Sequence, residues 1–198
     1  MKSLVDHARS FTSHVAQRAE EFRAFEAGQR PAVLFIACSD SRVVPSLITG
    51  ARPGELFELR TAGNIVPEYR SDHPTGETAT IEFAVRVLGV RHVIVCGHSH
   101  CGAVGALVGG GDLSHLPAVR DWLTRTVARP GPPAGAGSPH LAEAVQHHVL
   151  AQLERLCTYP CVAERLSEGN LSAHAWYYEV HTGAVTEYRP EEAAFHPL

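Results

Sequence analysis

The chain has 198 residues, 44% hydrophobic and 19% charged, ordinary globular values that exclude a disordered chain, a coiled coil and a fibrous repeat. Its 17 basic and 21 acidic residues leave a formal net charge of -4, so it lacks the basic field that phosphate backbones select and nucleic acid is not an expected partner. A chain of this length buries roughly 70% of its unfolded surface without covalent staples, and its longest apolar run, 31–38, is far short of the roughly 18 residues a membrane span needs.

The opening MKSLVDHARSF has no unbroken apolar core of the signal-peptide kind, and the five cysteines are odd in number and lie in apolar runs. Both features predict a reducing, cytoplasmic setting. Residues 2–26 are expected to form an amphipathic helical arm, because Leu4, Phe11, Val15, Phe22 and Phe25 recur at steps of three, four or seven. Gly28 closes it. AVLFIAC, ending at Cys38, is too short for a typical helix and does not alternate, as expected of a strand buried on both faces. After the polar turn CSDSRVVP come a second strand, ELFELR at 55–60, and a helix at 75–88 whose Ala79, Phe83 and Val87 share a stripe. A third strand, HVIVC at 92–96, turns through GHSHCGAV into a helix ending near Leu107.

Strand and helix alternating at this spacing predict right-handed crossovers, hence an α/β fold with a central, mostly parallel sheet flanked by helices. Helices at 115–128 and 139–168 bracket a proline- and glycine-rich surface loop, 129–139. SAHAWYYEV then turns at His181-Thr182-Gly183 into AVTEY, an edge hairpin near the C-terminus. Too little chain follows the loop for a second large core, so 1–198 reads as one domain.

Thirteen histidines are conspicuous, but His7, His14, His73, His115, His140, His147, His148 and His196 stand in polar or loop-like surroundings and read as solvated. The informative residues sit at two strand-to-turn junctions, Cys38-Ser39-Asp40-Ser41-Arg42 and His98-Ser99-His100-Cys101-Gly102. Carboxyl ends of strands in an open parallel sheet are where ligand crevices form, so the two turns can share one site. Cys38, His98 and Cys101 then make a Cys₂His set, the composition of catalytic zinc sites that keep a fourth position open. Soft thiolates with an imidazole disfavour magnesium and calcium. A closed structural site would show short Cys-x-x-Cys spacings, and none is present. The positions where a cysteine phosphatase would need its arginine hold Val44 and Leu107, and the glycine-rich stretch from Gly105 to Gly111 lacks the Lys-Ser/Thr ending of a phosphate loop.

The strings FIACSDSRVVP, PGELFELRTAGNIVP and VIVCGHSHCGAV are similar to those of the β-class carbonic anhydrases, including the plant-type form and the form found with bacterial cyanate-degrading enzymes. The resemblance runs from the N-terminal helix to the final strands. It implies one zinc per subunit on Cys38, His98 and Cys101, interconversion of carbon dioxide and bicarbonate, and a homo-oligomer, a dimer or dimer of dimers with active sites near the subunit interface. Asp40 and Arg42 match the family's dyad: the guanidinium holds the carboxylate off the metal, and the carboxylate orients a zinc-bound hydroxide toward the substrate carbon. Gln29 matches a donor to a substrate oxygen. Phe57, Ala62 and Phe83 match an apolar wall reaching the zinc of the neighbouring subunit, and Gly102 offers a backbone N–H beside the ligand turn.

Two positions depart from relatives. Phe83 stands where many carry tyrosine, so no hydroxyl serves there. Phe35 stands where relatives that shut the site through Asp ligation carry tryptophan; with Ala37 it resembles the always-open branch, which predicts Asp40 off the metal. His100 is a candidate proton shuttle, Cys96 is expected to be buried in its strand, and Cys157 and Cys161 are expected to pack. Two thiolates also cancel the zinc charge, which predicts hydration falling off toward acid pH. The same site could instead attack carbonyl sulfide or carbon disulfide, and a non-enzymatic zinc or redox-sensing module is the remaining alternative.

Overall fold

The computed structural model describes residues 1–110, 112–126 and 139–198. They fall into two compact units, Met1–Arg30 and Pro31–Leu198. In the first, the expected single helix is broken: α1 (Lys2–Gln17) stops at Arg18, whose φ of -125° and ψ of 34° leave the helical region, α2 (Ala19–Arg23) follows, and a 3-10 turn (Ala24–Ala27) ends at Gly28 with φ 98°.

The second unit is built on a six-stranded sheet of order β2-β1-β3-β4-β5-β6. Its strands are β1 (Val33–Cys38), β2 (Leu56–Thr61), β3 (His92–His98), β4 (Ser172–Tyr178), β5 (Val185–Arg189) and β6 (Ala194–Pro197). The four from β2 to β4 run parallel, in register Phe35↔Glu58, Phe35↔Ile94 and Ile94↔His174, and β5 and β6 close the sheet antiparallel. The expected hairpin is β4–β5; β6, which the sequence reading missed, forms the edge beyond it.

The helices of this unit are α3 (Pro45–Thr49), α4 (Gly76–Glu82), α5 (Gly102–Val108), α6 (Pro117–Thr126), α7 (Pro139–Cys157) and α8 (Pro160–Ser167). Up to residue 138 the predicted loop 129–139 lies outside the described residues, and Pro139 already opens α7. The helix predicted over 139–168 is two, because Tyr159 is extended and Pro160 starts the second. Leu34, Ile36, Val93, Val95 and Ala175 of the sheet pack with Ile81, Val104, Val145, Val149 and Val162 in the main core, while Phe35, Ala37, Val43, Ile94 and Cys96 form a smaller cluster. Cys96 is fully buried as expected, Cys161 is buried and Cys157 partly so.

Helix α4 continues as a wider π-type turn, Phe83–Leu88, whose buried residues are Ala84 and Val85. The stripe predicted from Ala79, Phe83 and Val87 therefore faces outward: Phe83 is 43% and Val87 66% exposed. Packing on β3 is set by one glycine, since a Cβ on Gly97 would lie 2.4 Å from Val149 Cγ2 and 2.8 Å from Val145 Cγ1 of α7. Among the described residues no helix is long and apolar enough to cross a membrane.

Candidate active site

Three strand and helix ends converge where the sheet's parallel strands finish. Cys38 is the last residue of β1, His98 the last of β3, and Cys101 caps α5. Between His98 and Cys101 the chain reverses through His100 in the left-handed region, φ 56°. The end of β4 anchors this turn: Ser99 N–H donates to Tyr178 O at 2.9 Å, and Val180 N–H to Ser99 Oγ at 3.0 Å. All three side chains are buried, and one ligand-type atom from each lies within 4.8 Å of the others.

The donor set fits a zinc ion. A tetrahedral zinc with ligands at about 2.0–2.3 Å needs such atoms within about 4 Å of one another. His98 Nδ1–H donates to Ser99 O at 2.9 Å, which fixes the tautomer and leaves Nε2 for a metal. That Nε2 is a fully buried atom without a hydrogen-bond partner. Cys38 is pushed well below the usual thiol range, chiefly because its sulfur accepts a hydrogen bond from the Cys101 thiol, with His98 and the Gly63 N–H assisting against burial. Cys101 is pushed up by that same thiolate and by burial. One thiolate thus forms readily and the second resists, the imbalance that a dication relieves.

At the edge of this set, Asp40 is held by Arg42. Arg42 N–H and Nε–H donate to Oδ1, both at 2.9 Å, and Nη2–H to Oδ2 at 2.7 Å. The guanidinium holds the Asp40 carboxyl well below the usual carboxylate range. Oδ2 lies 3.9 Å from His98 Nε2, and Arg42 Nη2 also reaches His100 O at 3.2 Å. The His100 ring itself is exposed, its centroid 6.4 Å from that of His181.

The remaining predicted positions separate. Gly102 begins α5 beside Cys101, and Ala62 precedes Gly63, whose N–H donates to Cys38 Sγ at 3.3 Å. The Ala62 backbone thus adjoins this chain's own ligand set. Phe57 and Phe83 do not reach it. Phe57 pairs with Leu34, four residues before Cys38, about 13 Å along the strands, and its ring lies 6.0 Å from that of Phe83. Gln29 is exposed and belongs to the N-terminal unit.

Three residues escaped the sequence reading. Arg60 clamps the turn after β1, donating from Nη2 to the carbonyls of Cys38 at 2.9 Å, Asp40 at 2.8 Å and Val43 at 2.6 Å. His148, expected to be solvated, is 6% exposed on α7; burial pushes its pKa down, and the neutral ring donates from Nε2 to Gly63 O at 2.7 Å. Trp122 of α6 donates from Nε1 to Ala62 O at 2.9 Å. Their partners are backbone carbonyls, which leave no mark in a sequence.

Known proteins are similar to this chain. The family profile described as carbonic anhydrase matches residues 33–185. A carbonic anhydrase of Pseudomonas aeruginosa is 47% identical over 174 residues, covering 85% of this chain and 78% of that protein; carbonic anhydrase 1 of Escherichia coli O157:H7 is 38% identical, covering 100% and 92%. Among solved structures, the β-carbonic anhydrase CcaA superposes with a TM-score of 0.89 at 35% identity, covering 100% of this chain and 92% of that one. A structure described among tetrameric β-carbonic anhydrases of Sordaria macrospora does so with 0.77 at 26% identity, covering 94% of each. With its buried Cys₂His set at the strand ends and relatives matched over nearly its whole length, the chain belongs to the β-carbonic anhydrase family.

Proposed function

We propose that this protein catalyses the reversible hydration of carbon dioxide to bicarbonate and a proton, with one zinc ion per subunit held by Cys38, His98 and Cys101. The observation that carries the reading is the buried Cys₂His set with Asp40 held at its edge by Arg42. Bound zinc supplies a Lewis acid that brings the pKa of a water close to neutrality.

The chain's own residues do the rest. Arg42 engages both oxygens of Asp40, so the carboxylate stays ionised and is held back from the Cys38, His98 and Cys101 set, which would hold the zinc. Asp40 Oδ2 still has a free lone pair beside the ligands; it accepts a hydrogen bond from the attacking water and so aims an oxygen lone pair at the substrate carbon. Arg60 fixes the backbone that carries Cys38 and Asp40. Gln29 takes the role the family resemblance implies, a donor to a substrate oxygen; on the ligand turn the Gly102 N–H follows Cys101, and Ala62 forms part of an apolar wall suited to a small apolar gas. Phe57 and Phe83 complete that wall for a second copy of the chain, so the working unit is a homo-oligomer.

Stopped-flow measurement of CO₂ hydration, before and after stripping the metal with a chelator and again after adding zinc back, tests the proposal. Activity that follows zinc content supports it. Zinc-replete protein that leaves CO₂ untouched but releases sulfide from carbonyl sulfide would move the substrate, and protein inert toward both would reduce the site to a zinc module.

A further inference from the structure

Two side chains outside the ligand set converge on the turn that touches Cys38. This 3-10 turn, Ala62–Asn64, holds Gly63 at φ 78°, and a Cβ there would lie 3.0 Å from Ala103 Cβ, so both backbone conformation and space demand glycine. The Gly63 N–H donates to Cys38 Sγ at 3.3 Å. The carbonyl of that same peptide unit, Ala62 O, accepts the indole N–H of Trp122 at 2.9 Å. The next carbonyl, Gly63 O, accepts the Nε2–H of His148 at 2.7 Å.

Trp122, the 62–63 peptide and the Cys38 sulfur therefore form one chain of donors and acceptors. A hydrogen bond received at a peptide carbonyl polarises the N–H of the same peptide and strengthens what it donates. His148 fixes the adjoining peptide, so that the turn cannot rotate its N–H away from the sulfur. The two anchors come from different helices, α6 and α7. Helix α7 reaches this depth because Gly97 lets Val145 and Val149 lie against β3.

We propose that Trp122 and His148 are positioning residues of the metal centre: by clamping the Ala62 and Gly63 carbonyls they hold the Gly63 N–H on Cys38 Sγ, and so set how firmly that thiolate retains zinc and how much charge it donates. This rests on the reading of Cys38, His98 and Cys101 as the zinc ligands. Hydrogen bonding to a thiolate draws charge from sulfur and pins its direction. Without the clamp the sulfur becomes more electron-rich and less well placed.

The test uses the full chain carrying Trp122→Phe, which keeps an aromatic ring but no N–H, His148→Leu, which removes the donor, and His148→Gln, which restores one at similar reach. Thr124→Ala, whose hydroxyl serves Arg120 O within α6, controls for disturbance of that helix. Zinc affinity is measured by competition with a chelator, and the sulfur-to-metal charge-transfer band is recorded on cobalt(II)-substituted protein. Outer-shell partners of metal ligands typically contribute about 10–100-fold in affinity. Trp122→Phe and His148→Leu are expected to weaken zinc retention by about tenfold or more and to move the cobalt band to longer wavelength, while His148→Gln and Thr124→Ala stay near the parent. Unchanged affinity and an unshifted band in both loss variants would overturn the proposal. If Trp122→Phe fails to fold, the contrast between His148→Leu and His148→Gln decides. Parent protein that binds no stoichiometric zinc would defeat the ligand reading itself, a result distinct from parent-like variants.

Discussion

At Asp40 the chemistry turns on which partner occupies a carboxylate. Three hydrogen bonds from Arg42 satisfy it at 2.7 and 2.9 Å, so it has little to gain by turning toward the ligand set, although its Oδ2 lies 3.9 Å from His98 Nε2. Asp40→Ala should therefore lower CO₂ hydration by about a hundredfold or more, the scale of a lost proton-handling group, and leave zinc bound one to one. Stopped-flow rates and metal analysis on the same sample check this; full turnover in the variant would remove Asp40 from the mechanism. This residue and the three ligands were legible because their types are chemically loud at the ends of apolar strands. His148 was not. It follows the exposed His147 in QHHVL, and one step around a helix, about 100°, separates a solvated imidazole from one buried against Gly63.

Elements show the same division. β1 and β3 could be read from unbroken apolar runs, since strands covered on both faces need no alternation. The breaks could not: Arg18 ends α1 without proline or glycine, β6 is only AFHP, and the π turn after Glu82 redirects a helical stripe that sequence periodicity treats as continuous. At the α7–α8 junction, Tyr159 is fully buried and its hydroxyl donates to Pro67 O at 2.7 Å, tying the break to the segment after β2. Burial pushes this phenol up to about 12, against about 10 in an unfolded chain. The folded state keeps a proton that the unfolded state gives up, so the stabilisation is complete below pH 10 and is lost as pH rises toward 12. Urea midpoints between pH 9 and about 11.5 should fall for the parent chain, whereas Tyr159→Phe should start lower by about 1 kcal/mol for its lost hydrogen bond and decline less steeply. Equal slopes would exclude Tyr159 as the source.

For the whole molecule, the decisive facts are outward-facing apolar residues. Phe83 and Val87 are 43% and 66% exposed on the helix that leads to β3, beside a groove lined by Tyr69, Pro74 and Thr78. In the N-terminal unit α1 and α2 bury none of their residues, and Leu4 and Phe11 stay exposed. Exposed apolar residues one turn apart, as Phe83 and Val87 are, form a surface suited to association. Phe57 pairs with Leu34, about 13 Å along the strands from Cys38, and its ring lies 6.0 Å from that of Phe83, so the proposed wall role of the two is tested through assembly. Val87→Glu places a charge one helical turn from Phe83 without touching a ligand, the Asp40–Arg42 pair or the Ala62–Asn64 turn. It should shift the chain toward monomer in light scattering, retain zinc, and lose most CO₂ hydration, with activity recovering as protein concentration restores the assembly. A monomeric variant of undiminished rate would show that each subunit walls its own pocket, and a variant that assembles normally would put the interface on another face.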